Sequence, residues 1–213
     1  MSMLNLARFD ATPLQTEPCD HLVVPGFVTP QALAGLNADF PAIDAAGNFP
    51  FEDLICGPRF QALVDELTGP DVRRHFAAKF GMDLDAFPTQ VAIRKHMSML
   101  DGRIHNDSRS KKITVLIYFN EQWTQPGGQL RLNKGLDRMD DYYVEVPPVG
   151  GNLIAFRRNE HSFHGFPPAA GERRTLQMYW VDPVRLRNRK ATGVRKIIHK
   201  LVRRTVRKFR DRL

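Results

Sequence analysis

A chain of 213 residues suits one domain with a full-sized core, and its 42% apolar content excludes wholesale disorder. The longest unbroken apolar run, Ile113 to Phe119 with one Thr inside, is far short of the ~20 residues that a membrane-spanning helix needs. The net charge of +8 is unevenly divided: residues 185–213 carry 13 Lys and Arg against one acid, while the other 184 hold 18 basic and 22 acidic residues.

The opening MSMLNLARFDATP lacks a basic start followed by an apolar stretch, so no signal peptide is expected and cytoplasm is the expected location. Residues 1–19 are polar and punctuated by proline, and read as a loosely held, flexible extension. His21 to Phe27 reads as a short strand. Thr29-Pro30 then opens a helix reaching about Phe40, with Thr as N-cap and Pro in the first turn. Phe60, Leu63, Val64 and Leu67 are spaced as one face of a second helix, and Val72 to Phe80 forms a third, ended by Gly81. After Pro88 the texture changes to short alternating runs at about 90–99, 112–120, 128–132, 142–147, 152–157 and 173–182, the signature of a sandwich or jelly roll. Cys19 and Cys56, with no other soft ligands beside them, read as reduced core thiols.

Two clusters carry the chemistry. In an extended segment His105 and Asp107 project to the same side, supplying an imidazole and a carboxylate, two thirds of a facial triad for non-haem iron(II). Taken alone, His-x-Asp fits an ordinary surface turn equally well. Downstream, His161-Ser162-Phe163-His164-Gly165-Phe166-Pro167 offers a third ligand from a separate strand, His164 or His161. Beyond it, Arg173 or Arg174 can present a planar fork to the far carboxylate of 2-oxoglutarate, with Thr175 adding a hydroxyl.

Between these clusters lie Ile113 to Trp123, Gly127-Gly128-Gln129-Leu130 and Gly151-Asn152-Leu153-Ile154-Ala155-Phe156. Taken in order with the two clusters, the stretch from about Val91 to Val181 resembles the catalytic core of the 2-oxoglutarate/Fe(II) oxygenases, in the prolyl-4-hydroxylase-like branch. The resemblance implies an α+β fold. Its double-stranded β-helix (jelly-roll, cupin-like) core would span about 89–183, inside a domain of 20–183 with supporting N-terminal helices. It implies that His105, Asp107 and His164 bind the metal and that Arg173 pairs with the cosubstrate carboxylate. Tyr118 and Thr114, on one face of a strand, would join that carboxylate, with core packing as the plainer role. His96 stands where relatives carry a Tyr, either taking over a cosubstrate contact or filling the space. The implied cofactors are Fe(II), 2-oxoglutarate and O2, with ascorbate a candidate reductant. The implied reaction couples decarboxylation of 2-oxoglutarate to hydroxylation of an unactivated C–H bond, and the retained Asp107 favours hydroxylation over halogenation.

In the tail (184–213), Val194, Ile197, Ile198, Leu201, Val202, Val206 and Phe209 form an apolar stripe opposite Lys and Arg, so a basic amphipathic helix is expected from about residue 192. Such a helix suits peripheral contact of 194–213 with an anionic membrane surface, such as the inner membrane face. Docking on the domain or on a partner is the alternative, and the scarcity of aromatics counts against nucleic acid. The expected function is hydroxylation of a small molecule or a glycan- or lipid-linked substrate near such a surface. The alternatives are a prolyl or other amino-acid hydroxylase and, in another class, a catalytically silent jelly-roll binding module.

Overall fold

A computed structural model describes residues 2–185. The basic helix expected from about residue 192, with its membrane contact, lies outside the described residues. Among the described residues there are nine strands and four α-helices, with all four helices before the run of longer strands, as expected. The helices are α1 (Leu6–Ala11), α2 (Pro30–Ala38), α3 (Pro58–Thr68) and α4 (Pro70–Phe80). The strands are β1 (His21–Val24), β2 (Phe49–Pro50), β3 (Thr89–Met97), β4 (Lys111–Tyr118), β5 (Leu130–Asn133), β6 (Tyr142–Val146), β7 (Leu153–Arg157), β8 (His164–Gly165) and β9 (Gly171–Val181). Proline stands in the first turn of α2, α3 and α4, where a missing N–H costs nothing, and Gly81 closes α4 in the left-handed conformation.

The strands form a six-stranded sheet, β1-β7-β4-β9-β3-β2, facing a three-stranded sheet, β6-β5-β8, with every pairing antiparallel. Period-two alternation gives the large sheet two different faces. Ile113, Val115, Ile117, Leu176, Met178 and Trp180 turn outward and meet the helices in the main core. Leu116, Tyr118, Ile154 and Phe156 turn inward and meet Leu130, Leu132 and Val146 of the small sheet. The site occupies the inner face, and the helices brace the sheet from behind. Among the described residues no helix is long and apolar enough to cross a membrane.

The first 19 residues depart from expectation, because they are packed against the domain. Leu4 bridges Val28, and Phe9 of α1 is fully buried with its ring centroid 4.4 Å from Phe76 and 5.9 Å from Phe27. A six-residue helix has little stability of its own, so tertiary burial of this one aromatic holds it. Phe9→Ala is expected to cost about 3 kcal/mol of unfolding free energy, read as a lower denaturant midpoint at unchanged slope. A loss under about 0.5 kcal/mol would place the segment outside the cooperative core.

Candidate active site

His164 lies on β8 and His105 in the loop after β3, far apart in sequence. They meet because their backbones form an isolated antiparallel bridge: His105 N donates to His164 O at 3.0 Å, and His164 N donates to His105 O at 2.9 Å. Such a pair puts both side chains on one face, and the ring centroids are 4.4 Å apart. The bridge needs close backbone approach. Gly102 has φ +90° and its carbonyl accepts from Phe166 N, and a Cβ there would sit 2.2 Å from Phe166 O. The segment 101–107 is a loop rather than the extended strand anticipated, so it is this bridge, and not strand alternation, that brings His105 into the site.

Asp107 completes the group, and the ligand atoms of His105, Asp107 and His164 all lie within 4.8 Å of one another. Asp107 and His164 are buried, while His105 faces the open side. Each imidazole Nδ1 lies 2.9 Å from a main-chain carbonyl two residues back, Arg103 O for His105 and Ser162 O for His164. A carbonyl only accepts, so Nδ1 carries the hydrogen and each Nε2 keeps its lone pair for a metal. Burial lowers the His164 pKa to about 4, outweighing the opposing pull of Asp107, so the ring is neutral and able to ligate. Burial alone would push the Asp107 carboxyl up. The Lys111 charge, with hydrogen bonds from Lys111 and Thr114, outweighs it and holds the group below the usual carboxylate value. Two imidazoles that each turn Nε2 toward one carboxylate, with a face left open, fit iron(II).

Arg173 points into the interior from β9 and is 1% exposed. Its Nε donates to Gly128 O at 2.8 Å, Nη1 to Thr175 Oγ1 at 3.2 Å and Nη2 to Tyr118 Oη at 3.3 Å. Among the described residues no carboxylate pairs with this guanidinium. A buried cation held only by neutral acceptors is costly unless an anion joins it. Arg174, the alternative, turns outward to Glu172 and Asn37. His161 is exposed and takes no part in the triad.

The triad and Arg173 share one cavity of about 310 Å³, also lined by Arg94, Lys111, Thr114, Gln177 and Tyr179. Two of the expected cosubstrate residues have surroundings that the sequence did not show. Thr114 faces the cavity, but its hydroxyl donates to Asp107 Oδ2 at 2.6 Å and so orients the carboxylate. His96 is not in the cavity wall, because the β3–β9 register slips between Arg94 and His96 and turns the later residue away. Lys111 escaped the sequence reading for a similar reason. A register shift between Lys111 and Ile113 brings it inward, where Nζ meets Asp107 Oδ1 at 2.6 Å and lies 3.6 Å from the Tyr179 ring centroid. The separation of four residues between Asp107 and Lys111 was the available clue. Thr114→Val is expected to weaken Fe(II) binding about ten-fold by freeing the Asp107 carboxylate, measurable by competition against a chromogenic chelator. Unchanged affinity would show that Lys111 alone suffices to hold it.

The family model described as the 2OG-Fe(II) oxygenase superfamily matches residues 84–182, the stretch that contains the triad and Arg173. The match covers 99 of the 213 residues, and over them the chain resembles a 2OG-Fe(II) oxygenase domain. The superfamily uses Fe(II), 2-oxoglutarate and O2, and the donor set here suits that requirement. Solved structures agree on the fold. A Pseudomonas putida prolyl-4-hydroxylase is similar at TM-score 0.58 and 19% identity, over 83% of this chain and 99% of that one. A viral collagen prolyl hydroxylase from Paramecium bursaria Chlorella virus-1, in complex with 2-oxoglutarate, is similar at TM-score 0.54 and 15% identity, over 75% and 93%. A Burkholderia pseudomallei oxidoreductase of the 2OG-Fe(II) oxygenase family is similar at TM-score 0.53 and 16% identity, over 85% and 95%. No curated protein sequence matches the chain.

Proposed function

We propose that this oxygenase is a hydroxylase in which His105, Asp107 and His164 hold Fe(II) and Arg173 receives the C5 carboxylate of 2-oxoglutarate. The observation that carries the reading is Arg173 itself: a buried guanidinium without a carboxylate partner among the described residues, at the wall of the cavity that holds the triad. A five-carbon diacid spans from a metal to such a group. Tyr118 and Thr175 steady the fork, and burial raises the Tyr118 pKa so that its hydroxyl stays protonated. Iron and 2-oxoglutarate, when bound, supply the oxidising chemistry with O2. The chain orients the diacid through Arg173, fixes both imidazole tautomers and holds the Asp107 carboxylate through Thr114 and Lys111.

For the substrate, the basic residues of 185–213 support a saccharide or lipid-linked molecule met at an anionic membrane surface in the cytoplasm. A second reading, hydroxylation of proline or another amino acid, is favoured by the two prolyl hydroxylases among the similar structures. The test of the reaction class is an anaerobic titration with Fe(II) and 2-oxoglutarate, watching for the visible charge-transfer band of a metal-chelated keto acid. Its appearance supports the assignment. A folded protein that never shows it would instead be a jelly-roll binding module.

A further inference from the structure

We infer that the cavity is built for a substrate carrying an anionic group, a carboxylate or a phosphate, and that Arg94 is the specificity-determining residue that receives it. The inference rests on the iron and 2-oxoglutarate reading above and adds the substrate class. It starts from charge. The wall carries four cations, Arg94, Arg103, Lys111 and Arg173, against two carboxylates, Asp101 and Asp107. The dication and the dianionic cosubstrate cancel each other, so the loaded cavity keeps an excess of two positive charges. An uncharged prolyl ring would leave that excess uncompensated.

Each cation has a different status. Arg173 is reserved for the cosubstrate. Lys111 is engaged with Asp107 and Tyr179, and Arg103 is exposed. Arg94, on β3 opposite Thr175, has a side chain only 11% exposed. Its Nε donates to Asn48 Oδ1 at 2.8 Å, and the same oxygen accepts from Gln177 Nε2 at 3.0 Å, so the guanidinium is braced on one edge. Its Nη1 lies 2.9 Å from Asp101 Oδ2 but off the hydrogen-bonding direction, and this buried nitrogen makes no directed bond. Asp101 instead spends that oxygen on Ser98, accepting from its N at 2.8 Å and its Oγ at 3.3 Å. A braced, largely buried guanidinium at a cavity wall, ion-paired with one carboxylate, can exchange that partner for a planar or tetrahedral anion. Leu100, 81% exposed and also at the wall, offers an apolar contact to the rest of such a molecule.

The test uses the full chain loaded anaerobically with Fe(II) and saturating 2-oxoglutarate, so that nothing turns over. Calorimetry measures binding of phenyl phosphate, phenylacetate and the neutral phenylacetamide. At least one anion is expected to bind about ten-fold or more tightly than the amide, and which one leads tells phosphate from carboxylate. Arg94→Gln is expected to erase that preference while the 2-oxoglutarate midpoint, read from the charge-transfer band, stays within about two-fold. Asp101→Asn, which removes the resident counter-charge and keeps Arg94, is expected to tighten the anion several-fold. Equal binding of amide and anions, or a preference that survives Arg94→Gln, overturns the inference. So does a large rise in the 2-oxoglutarate midpoint of Arg94→Gln, which would make Arg94 a cosubstrate residue. Should Arg94→Gln fail to fold, unchanged anion affinity in Asp101→Asn overturns it alone. A wild type without the band is a separate outcome, and fails the reading on which the inference rests.

Discussion

Replacing His164 with alanine is expected to abolish the charge-transfer band and to weaken Fe(II) binding by more than about 100-fold, beyond what loss of an outer hydrogen bond costs. Of the three ligands it is the one whose state is most tightly determined. Its ring is buried, its Nδ1–H is held by Ser162 O, and its Nε2 lies 3.9 Å from Asp107 Oδ2. With it gone, His105 and Asp107 remain on a loop whose backbone bridge to β8 is unaffected by a side-chain change. The site loses one donor and its geometry for the others survives. The variant should therefore keep its fold, with the apo-protein's thermal midpoint shifted by no more than a few degrees. A folded His164→Ala protein that still shows the band at stoichiometric iron would remove His164 from the ligand set.

Arg173→Ala should separate cosubstrate binding from metal binding. The far carboxylate of 2-oxoglutarate would lose a buried, bidentate, charge-assisted partner, a change of about 3 kcal/mol or on the order of 100-fold in the 2-oxoglutarate midpoint. Iron affinity measured without cosubstrate should stay near that of wild type, since the guanidinium bonds to Gly128, Thr175 and Tyr118 and to no ligand. Arg173→Lys keeps the charge and loses the fork, so it should fall between the two. Equal midpoints for wild type and Arg173→Ala would mean that another cation of the same wall, such as Arg94, receives the diacid.

How much of this was legible in the sequence depends on whether the determining contacts are local. α2, α3 and α4 were readable because proline in the first turn, the spacing of Leu63, Val64 and Leu67, and Gly81 are local signals. The triad residues and Arg173 were readable because few chemistries need those side chains in that order. α1, β2 and β8 were not, since a six-residue helix and two-residue strands exist only through partners elsewhere, such as Phe76 for Phe9 and His105 for His164. His96 and Lys111 each lie beside a register slip, where the face that a residue presents is not legible from alternation. The bond from Thr114 to Asp107 was not legible either, because it depends on the loop that carries Asp107 coming close to β4.

The main-chain hold on both imidazoles has an evolutionary consequence. Where a histidine's tautomer depends on a neighbouring carboxylate or hydroxyl, a single substitution can erase it, and a lineage must conserve that neighbour. Here the acceptors are the carbonyls of Arg103 and Ser162, atoms that every residue type supplies. The exposed side chain of Arg103 can drift without disturbing how Nε2 is presented, and so can much of the cavity wall. A metal centre anchored in this way leaves its surroundings free to diverge, so new substrates can be explored by changing the wall while the oxidising chemistry is inherited intact.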